Sequence, residues 1–391
     1  MSDTKTIYSN LCRLCVFDKL LSDEVFRAFF KFCEAKEEAE KLKAYSSFVS
    51  CIYSRGGCLT DIVKKSVFED ENVYIKSASQ GININTNIQR AVEFELQVLS
   101  VFASLVTEDF SKELGDDEYI PSFDSYFADI KNEYYERVAH IGRFGFGIFA
   151  SSGMFRLDGE GNIVPIEAPD KTSIDSFVGY AEERQKVLQN TLMLLEGRPA
   201  ANALLYGDAG TGKSSTVKAI ANHLYSKGLR LIEVRKNQLL YLPKIMGQIS
   251  KNPLKFVIFI DDLSFNSNDA NFSMLKATLE GSAAAKAENA VIYATSNRRH
   301  IIKESFGERE GSDIHRNDTV QETLSLSERF GLRVLFAKPE KKLYLEIVHE
   351  LASRRGIDIP HAQLDVMAEA FVLRHGYRSA RCAEQFVDSL T

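Results

Sequence analysis

Eight consecutive residues carry the strongest chemical signal in this chain of 391 residues. Gly207, Asp208, Ala209, Gly210, Thr211, Gly212, Lys213 and Ser214 follow the pattern GxxxxGK[ST]. Glycines let a chain wrap so tightly that successive backbone N–H groups converge on phosphate oxygens, and the N-terminus of a following helix adds a favourable dipole. Lys213 is placed to reach the β- and γ-phosphates as a point charge, and Ser214 to put its hydroxyl on Mg²⁺. Ser215 continues the phosphate-facing turn. The context agrees with the motif: an apolar run from Ala203 to Tyr206 precedes it, and a helical pattern with Val217, Ile220, Ala221 and Leu224 on one face follows.

A phosphate loop that supports hydrolysis needs a carboxylate at the end of a buried strand. Phe256, Val257, Ile258, Phe259 and Ile260 run straight into Asp261 and Asp262. Acids at the carboxyl end of a strand sit where α/β sheets place ligands. Asp261 is the expected metal-side carboxylate. Asp262 is expected to polarise an attacking water, although it is one methylene shorter than Glu.

These groups need a sheet to hold them in register. Short apolar runs alternate with helical patterns at 203–206, 230–234, 256–260, 291–294 and 333–336. That alternation is the mark of a parallel sheet with helices on both faces. After Pro339 three helices are expected, around 343–351, 361–373 and 379–390. Residues 1–145 read as a mainly helical domain, with helices over 20–32, 88–110 and 123–141 and a loop over 77–87. Residues 146–175 read as a linker carrying hairpin chemistry between Leu157 and Ile163. The expected division is therefore 1–145, 146–175, an α/β nucleotide-binding core at 176–338, and a helical lid at 339–391.

Hydrophobic residues make up 45% of the chain and charged residues 26%, which excludes a collagenous or wholly disordered protein. No apolar run approaches the length of a membrane span. The N-terminus lacks the pattern of a secretory signal, so the expected compartment is the cytoplasm. Net charge is -6, which removes the simplest argument for constitutive nucleic-acid binding. Cys12 and Cys15 form a single CxxC without a second pair at zinc-site spacing. They read as reduced thiols, with a metal or redox pair as the alternative.

Three further segments make the chain resemble the AAA+ ATPases. Tyr293, Ala294, Thr295, Ser296 and Asn297 end a buried strand on a polar amide, as sensor 1 does. Ser325 to Gly331 places Arg329 just before the last strand, at the position of an arginine finger. Gly376 to Arg381 opens the last helix, at the position of sensor 2. Upstream, Ser176 to Gly179 and then Pro199 resemble the segment that leads into the AAA+ core. The resemblance covers about residues 165–391. More narrowly, the stretches 260–265, 293–300 and 326–332 resemble a bacterial ATP-binding AAA+ family catalogued as a domain of unknown function.

The resemblance implies an AAA+ P-loop sheet with a C-terminal helical lid, ATP and Mg²⁺ as ligands, and a homo-oligomer. It implies that Asn297 orients water against the γ-phosphate and that Arg329 acts on a neighbouring subunit. Arg381 would bridge lid and phosphates, with Arg378 as the second candidate. A protein-remodelling or switch ATPase whose N-terminal helices bind a protein client is the preferred output. A nucleic-acid loader and a nucleotide-gated binding module with negligible turnover are the alternatives. The stretch from Arg235 to Pro243 lacks the aromatic–hydrophobic–Gly loop of a threading unfoldase, so Tyr241 reads as a packing residue. The cluster Arg298, Arg299 and His300 reads as part of the active site or a subunit contact.

Overall fold

The computed structural model describes residues 3–114, 119–263, 270–280, 287–297 and 328–390, with only the backbone at 112, 270–273 and 280. The chain divides into two compact units, Met1–Ser151 and Ser152–Thr391.

In the first unit the described residues are almost entirely helical, and the sequence explains where the helices stop. Glu24–Glu34 and Glu38–Tyr53 pack against each other around Phe26, Phe29, Phe32 and Phe48, all fully buried. Phe102 and Phe110 close the same aromatic core, with ring centroids 5.0 Å from Phe29 and 5.2 Å from Phe32 respectively. The helix expected over 88–110 is instead two. Thr86–Ala103 ends on Ser104, and Thr107–Leu114 begins after the Asp109 carboxylate accepts the Val106 N–H at 3.1 Å. The helix expected from 123 starts later, at Ile130, where Asp129 caps the Asn132 N–H at 3.1 Å. Residues ahead of it run extended, with Asp124 bridged to Cys58. The expected loop over 77–87 shrinks, because helix Val73–Ser79 and helix Thr86–Ala103 take its ends.

Glu95, on the buried face of Thr86–Ala103, is 1% exposed. Its carboxylate accepts the backbone N–H groups of Cys15, Val16 and Phe17 at 2.9–3.1 Å, and the Cys15 thiol at 3.1 Å. This one side chain therefore satisfies the turn that carries the CxxC. Cys12 and Cys15 are free thiols, and the carboxylate beside Cys15 pushes its pKa up, which disfavours a reactive thiolate.

The second unit is built on a seven-stranded sheet. Its strands are β1 (Met154–Leu157), β2 (Ile163–Pro165), β3 (Ala203–Gly207), β4 (Leu229–Glu233), β5 (Lys255–Ile260), β6 (Ala290–Ser296) and β7 (Leu332–Phe336). Their order is β2-β1-β4-β5-β6-β3-β7. All pairings are parallel except β1 with β2. All five strands expected from the apolar runs are present. The helices Lys341–Arg354, His361–His375 and Ala380–Asp388 form the C-terminal bundle.

The segment 146–175 departs from its expected role as a linker. Its hairpin forms, but β1 pairs with β4 and extends the sheet, so from Ser152 onward this stretch belongs to the second unit. The physical reason is the apolar side chains on both faces of β1, Met154 on one and Phe155 and Leu157 on the other, all buried, which a free hairpin would leave in water.

Replacing Glu95 by Ala should strip the Leu14–Phe17 turn of its only side-chain acceptor described here. Hydrogen bonds to a charged group contribute about 1.5–3 kcal/mol each. The expected loss is on the order of 3 kcal/mol for the first unit, read as a lower urea midpoint.

Candidate functional site

Every motif residue singled out on a strand end stands at one edge of the sheet. Register puts Leu205 opposite Thr295, Tyr206 opposite Ser296, and Ile260 opposite Ala294. The carboxyl ends of β5, β6 and β3 therefore meet, and the phosphate loop leaves β3 between β6 and β7.

The loop needs its glycines for stated reasons. Gly207 has φ +131°, and a Cβ there would lie 2.1 Å from the Phe336 carbonyl oxygen. Gly210 has φ +74°, and its Cβ would press on Ser379 and Arg381 of the last helix. Gly212, at φ +88°, is the N-cap of helix Lys213–Leu224, whose buried face includes the expected Val217, Ile220, Ala221 and Leu224. The Thr211 hydroxyl donates to the Asp208 carbonyl at 2.9 Å and holds the arc closed. Lys213 is 5% exposed, and its ammonium donates to the carbonyls of Gly207 at 3.0 Å and Asp208 at 2.6 Å. Burial lowers its pKa, while the carboxylates of Asp208, Asp261 and Asp262 oppose that shift. Ala209 is exposed on the rim of the loop.

Around Asp261 the polar atoms form a connected chain. Ser214 Oγ donates to Asp261 Oδ1 at 2.6 Å, and Thr295 Oγ1 donates to the same oxygen at 2.5 Å. Thr295 Oγ1 in turn accepts the Asp262 N–H at 2.9 Å. Asn297 Nδ2 donates to Asp262 Oδ1 at 3.0 Å. Asp262 sits at φ +52°, in the left-handed region that costs an L-residue about 1–2 kcal/mol. The bond to Thr295 holds it there. Among the described residues no group of three or more His, Cys, Asp or Glu is arranged to hold a metal ion. A donor set of one hydroxyl and one carboxylate nevertheless suits Mg²⁺, which takes its remaining ligands from phosphates and water.

The C-terminal helices cover the loop. Arg381 N–H donates to the Gly210 carbonyl at 3.1 Å. Arg381 also lines a cleft of about 260 Å³ together with Val178, Tyr180, Arg184, Ser215, Ile347 and Leu351. Arg378 instead makes a bidentate pair with Glu369 at 2.6 and 3.0 Å, inside the helical bundle. Arg329 is at the opposite edge of the sheet. Leu332 pairs with Ala203, the first residue of β3, so about 13 Å of strand rise separates it from Gly207. Arg298, Arg299 and His300 lie outside the described residues.

Sequence reading overlooked two parts of this site. Thr295 was visible only as a member of the strand that ends on Asn297, yet it ties the two aspartates together; a hydroxyl in an otherwise apolar run was the available signal. The cleft wall formed by Tyr180 and Arg184, just beyond the segment Ser176 to Gly179, was the other. Tyr180 is a second non-glycine residue at positive φ, +51°, with its ring 5.6 Å from Phe336. Arg184 stacks over Phe177 at 5.2 Å, and burial lowers its pKa. No local pattern announces Arg184, because it enters the cleft only through the docking of helix Ala181–Leu195.

A parallel sheet with a phosphate loop on an inner strand, carboxylate and amide on the adjoining strand ends, and a helical lid against the loop define an AAA+ P-loop ATPase fold. Residues 151–391 match the family described as "Protein of unknown function (DUF815)", and the chain belongs to that family. It is also similar to the chaperone protein ClpB of Rickettsia bellii, 23% identical over 184 residues that make up 41% of this chain and 21% of that protein. Chaperone protein ClpB 2 of Parasynechococcus marenigrum is 25% identical over 206 residues, 48% of this chain and 21% of that protein. The chain thus spans about a fifth of the length of these curated relatives. Among solved structures, the Thermotoga maritima RuvB Holliday junction branch migration motor is similar at 16% identity and a TM-score of 0.33, over 56% of this chain and 72% of that one.

Gly207→Ala should be far more damaging than Gly212→Ala. The first places a methyl against backbone of β7, whereas the second meets nothing within 4 Å and carries only left-handed strain. Expected losses are on the order of 3 kcal/mol against about 1–2 kcal/mol, measured by urea unfolding of the second unit.

Proposed function

We propose that this chain binds ATP with Mg²⁺ in the cleft between phosphate loop and lid, hydrolyses it where neighbouring copies meet, and uses the cycle to remodel or switch a protein client. The hydrogen-bonded series Ser214, Asp261, Thr295, Asp262 and Asn297 carries this reading. It joins the phosphate loop to two strand ends and leaves no member to be positioned by chance.

Each residue then has a task that its surroundings permit. The backbone of Gly207 to Ser215 encloses the phosphates, and Lys213 offers its ammonium to the β- and γ-oxygens. Ser214 and Asp261 would hold Mg²⁺, which neutralises charge on the phosphate oxygens when bound. Asp262 is anchored on Oδ1 by Asn297, so its Oδ2 is the oxygen presented to an attacking water. The shorter reach of Asp is offset by the left-handed backbone, which re-aims the carboxylate. Asn297 orients that carboxylate and the water together. Arg381 is the lid residue beside the phosphates, whereas Arg378 is committed to Glu369.

Arg329 supports the oligomeric part of the proposal by its remoteness. An arginine one strand length away from its own phosphate loop is not placed to serve that loop, and in this proposal it serves the loop of a neighbouring copy. Arginine fingers in phosphoryl transfer contribute about 10³–10⁵ in rate.

Protein rather than nucleic acid is the favoured client on two grounds. Net charge is -6, and the segment after β4 is engaged within its own unit. Tyr241 packs its ring where a Cβ on Gly161 would sit, Gln238 donates to the Asp158 carbonyl at 3.0 Å, and Lys244 donates to Asn162 Oδ1 at 2.8 Å. A segment clasped by the β1–β2 turn is poorly suited to threading a polypeptide, which favours client contact through the helical first unit. No helix among the described residues is long and apolar enough to cross a membrane.

Lys213→Ala is expected to abolish ATP binding in calorimetry. Asp262→Asn should leave affinity within about threefold and lower steady-state phosphate release by at least about 10²-fold, the range for loss of a general base. Mixing Arg329→Ala with Lys213→Ala protein should restore release that neither shows alone, since each can complete the other's site. If wild type binds ATP tightly in its assembled form yet turns over no faster than Asp262→Asn, the chain is a nucleotide-gated binding module and the enzyme reading falls.

A further inference from the structure

The segment that joins sheet to lid, Phe336 to Pro339, is fastened from both sides of the nucleotide cleft. On the phosphate side, the Asp208 N–H donates to the Phe336 carbonyl at 3.3 Å, and the Asp208 carboxylate accepts the Lys338 N–H at 3.1 Å. On the other side, the Tyr180 hydroxyl donates to the Ala337 carbonyl at 2.7 Å, and its ring lies against Phe336. Pro339 follows and is buried, and helix Lys341–Arg354 starts two residues later. The two residues that follow β7, Ala337 and Lys338, are thus held by two side chains that belong to the walls of the cleft.

Neither side chain is explained by phosphate chemistry. Backbone N–H groups do the binding in a phosphate loop, and a carboxylate in that loop adds negative charge where a triphosphate would sit. Asp208 therefore works against anion binding unless its position brings something else. Tyr180 holds a backbone conformation that glycine would adopt without strain, yet its ring is 8% exposed and its hydroxyl is placed on the linker. Local strain that persists at a site is retained where the surrounding contacts over-determine it.

We propose that Asp208 and Tyr180 are positioning residues that clasp the sheet-to-lid linker, so that nucleotide in the cleft sets the orientation of the lid. The proposal rests on the ATP-binding reading above and adds to it the two residues that carry the coupling. Asp208 moves with the phosphate loop, and Tyr180 moves with the wall that faces the lid. A ligand that orders both therefore orders two successive linker residues. The lid meets the loop a second time at Arg381 N–H and the Gly210 carbonyl, so linker and last helix close on the same turn.

The test is hydrogen exchange of the full chain with and without ATP and Mg²⁺, in wild type, Asp208→Ala, Asp208→Asn and Tyr180→Phe. In wild type, ATP should slow exchange both in the phosphate-loop helix and in peptides covering 337–354. Asp208→Ala should keep the first effect and lose most of the second. Asp208→Asn retains an oxygen that accepts the Lys338 N–H and should recover the protection of 337–354. A role in charge alone would predict the reverse, with Asn behaving like Ala. Tyr180→Phe keeps the ring and loses only the bond to Ala337, and its effect combined with Asp208→Ala should be non-additive because both act on one linker. Wild type that takes up no adenine nucleotide overturns the ATPase reading and the coupling together. Wild type that binds ATP, with Asp208→Ala showing undiminished protection of 337–354, overturns the coupling alone.

Discussion

A single carboxylate oxygen, Asp261 Oδ1, receives both the Ser214 and the Thr295 hydroxyls. Ser214 belongs to the phosphate-loop helix, Thr295 to β6 and Asp261 to the end of β5, so three elements distant in sequence converge on one atom. That convergence is possible only because parallel strands present their carboxyl ends at one edge. The apolar character of β5 and β6 follows from the same requirement. A strand flanked by neighbours and covered on both faces must be hydrophobic along its length. The polar residues therefore wait until the strand ends, and those ends are where the chemistry is.

Much of this was legible from residue type and spacing. The five central strands were visible as apolar runs, and the P-loop was visible because its glycines, lysine and serine fall at fixed offsets between strand and helix signals. The resemblance to AAA+ ATPases then pointed to Asn297, Arg329 and Arg381. Other features were hidden for physical reasons. The hairpin at 154–165 looked like a linker because its own residues do not reveal that β4 has an open edge for β1 to join. Helix ends in the first unit were misplaced at Ser104 and Ile130, where caps supplied by Asp109 and Asp129 outweighed the apolar periodicity. Thr295 and Arg184 owe their roles to tertiary register, which no local pattern records.

The first unit solves a different problem. Among its described residues no sheet organises it, and its core is a dense aromatic cluster with buried polar groups such as Glu95 among the helices. Glu95 shows how a polar group can be fully buried at little cost when several backbone donors meet it. That arrangement also bears on Cys15, the second cysteine of the CxxC. A thiol donating to a carboxylate is held in its protonated form, which is the opposite of what redox or metal chemistry needs.

Strain in the second unit is distributed with a pattern. Only two non-glycine residues among those described adopt positive φ, Tyr180 and Asp262, and both flank the phosphate loop. Asp262 is steadied by Thr295 and Asn297, which belong to the sheet. Tyr180 is steadied by Phe336 and Ala337, which lead to the lid. One strained residue is thus tied to the ends of β5 and β6, and the other to the end of β7 and the linker that follows it. A loop placed between them, and touched by Arg381 from above, is in mechanical contact with both. Arg329 precedes β7 at the opposite edge of the sheet, where Leu332 pairs with the first residue of β3. The bonds that steady Asp262 and Tyr180 therefore gather at the carboxyl ends of the strands, one strand length away from it.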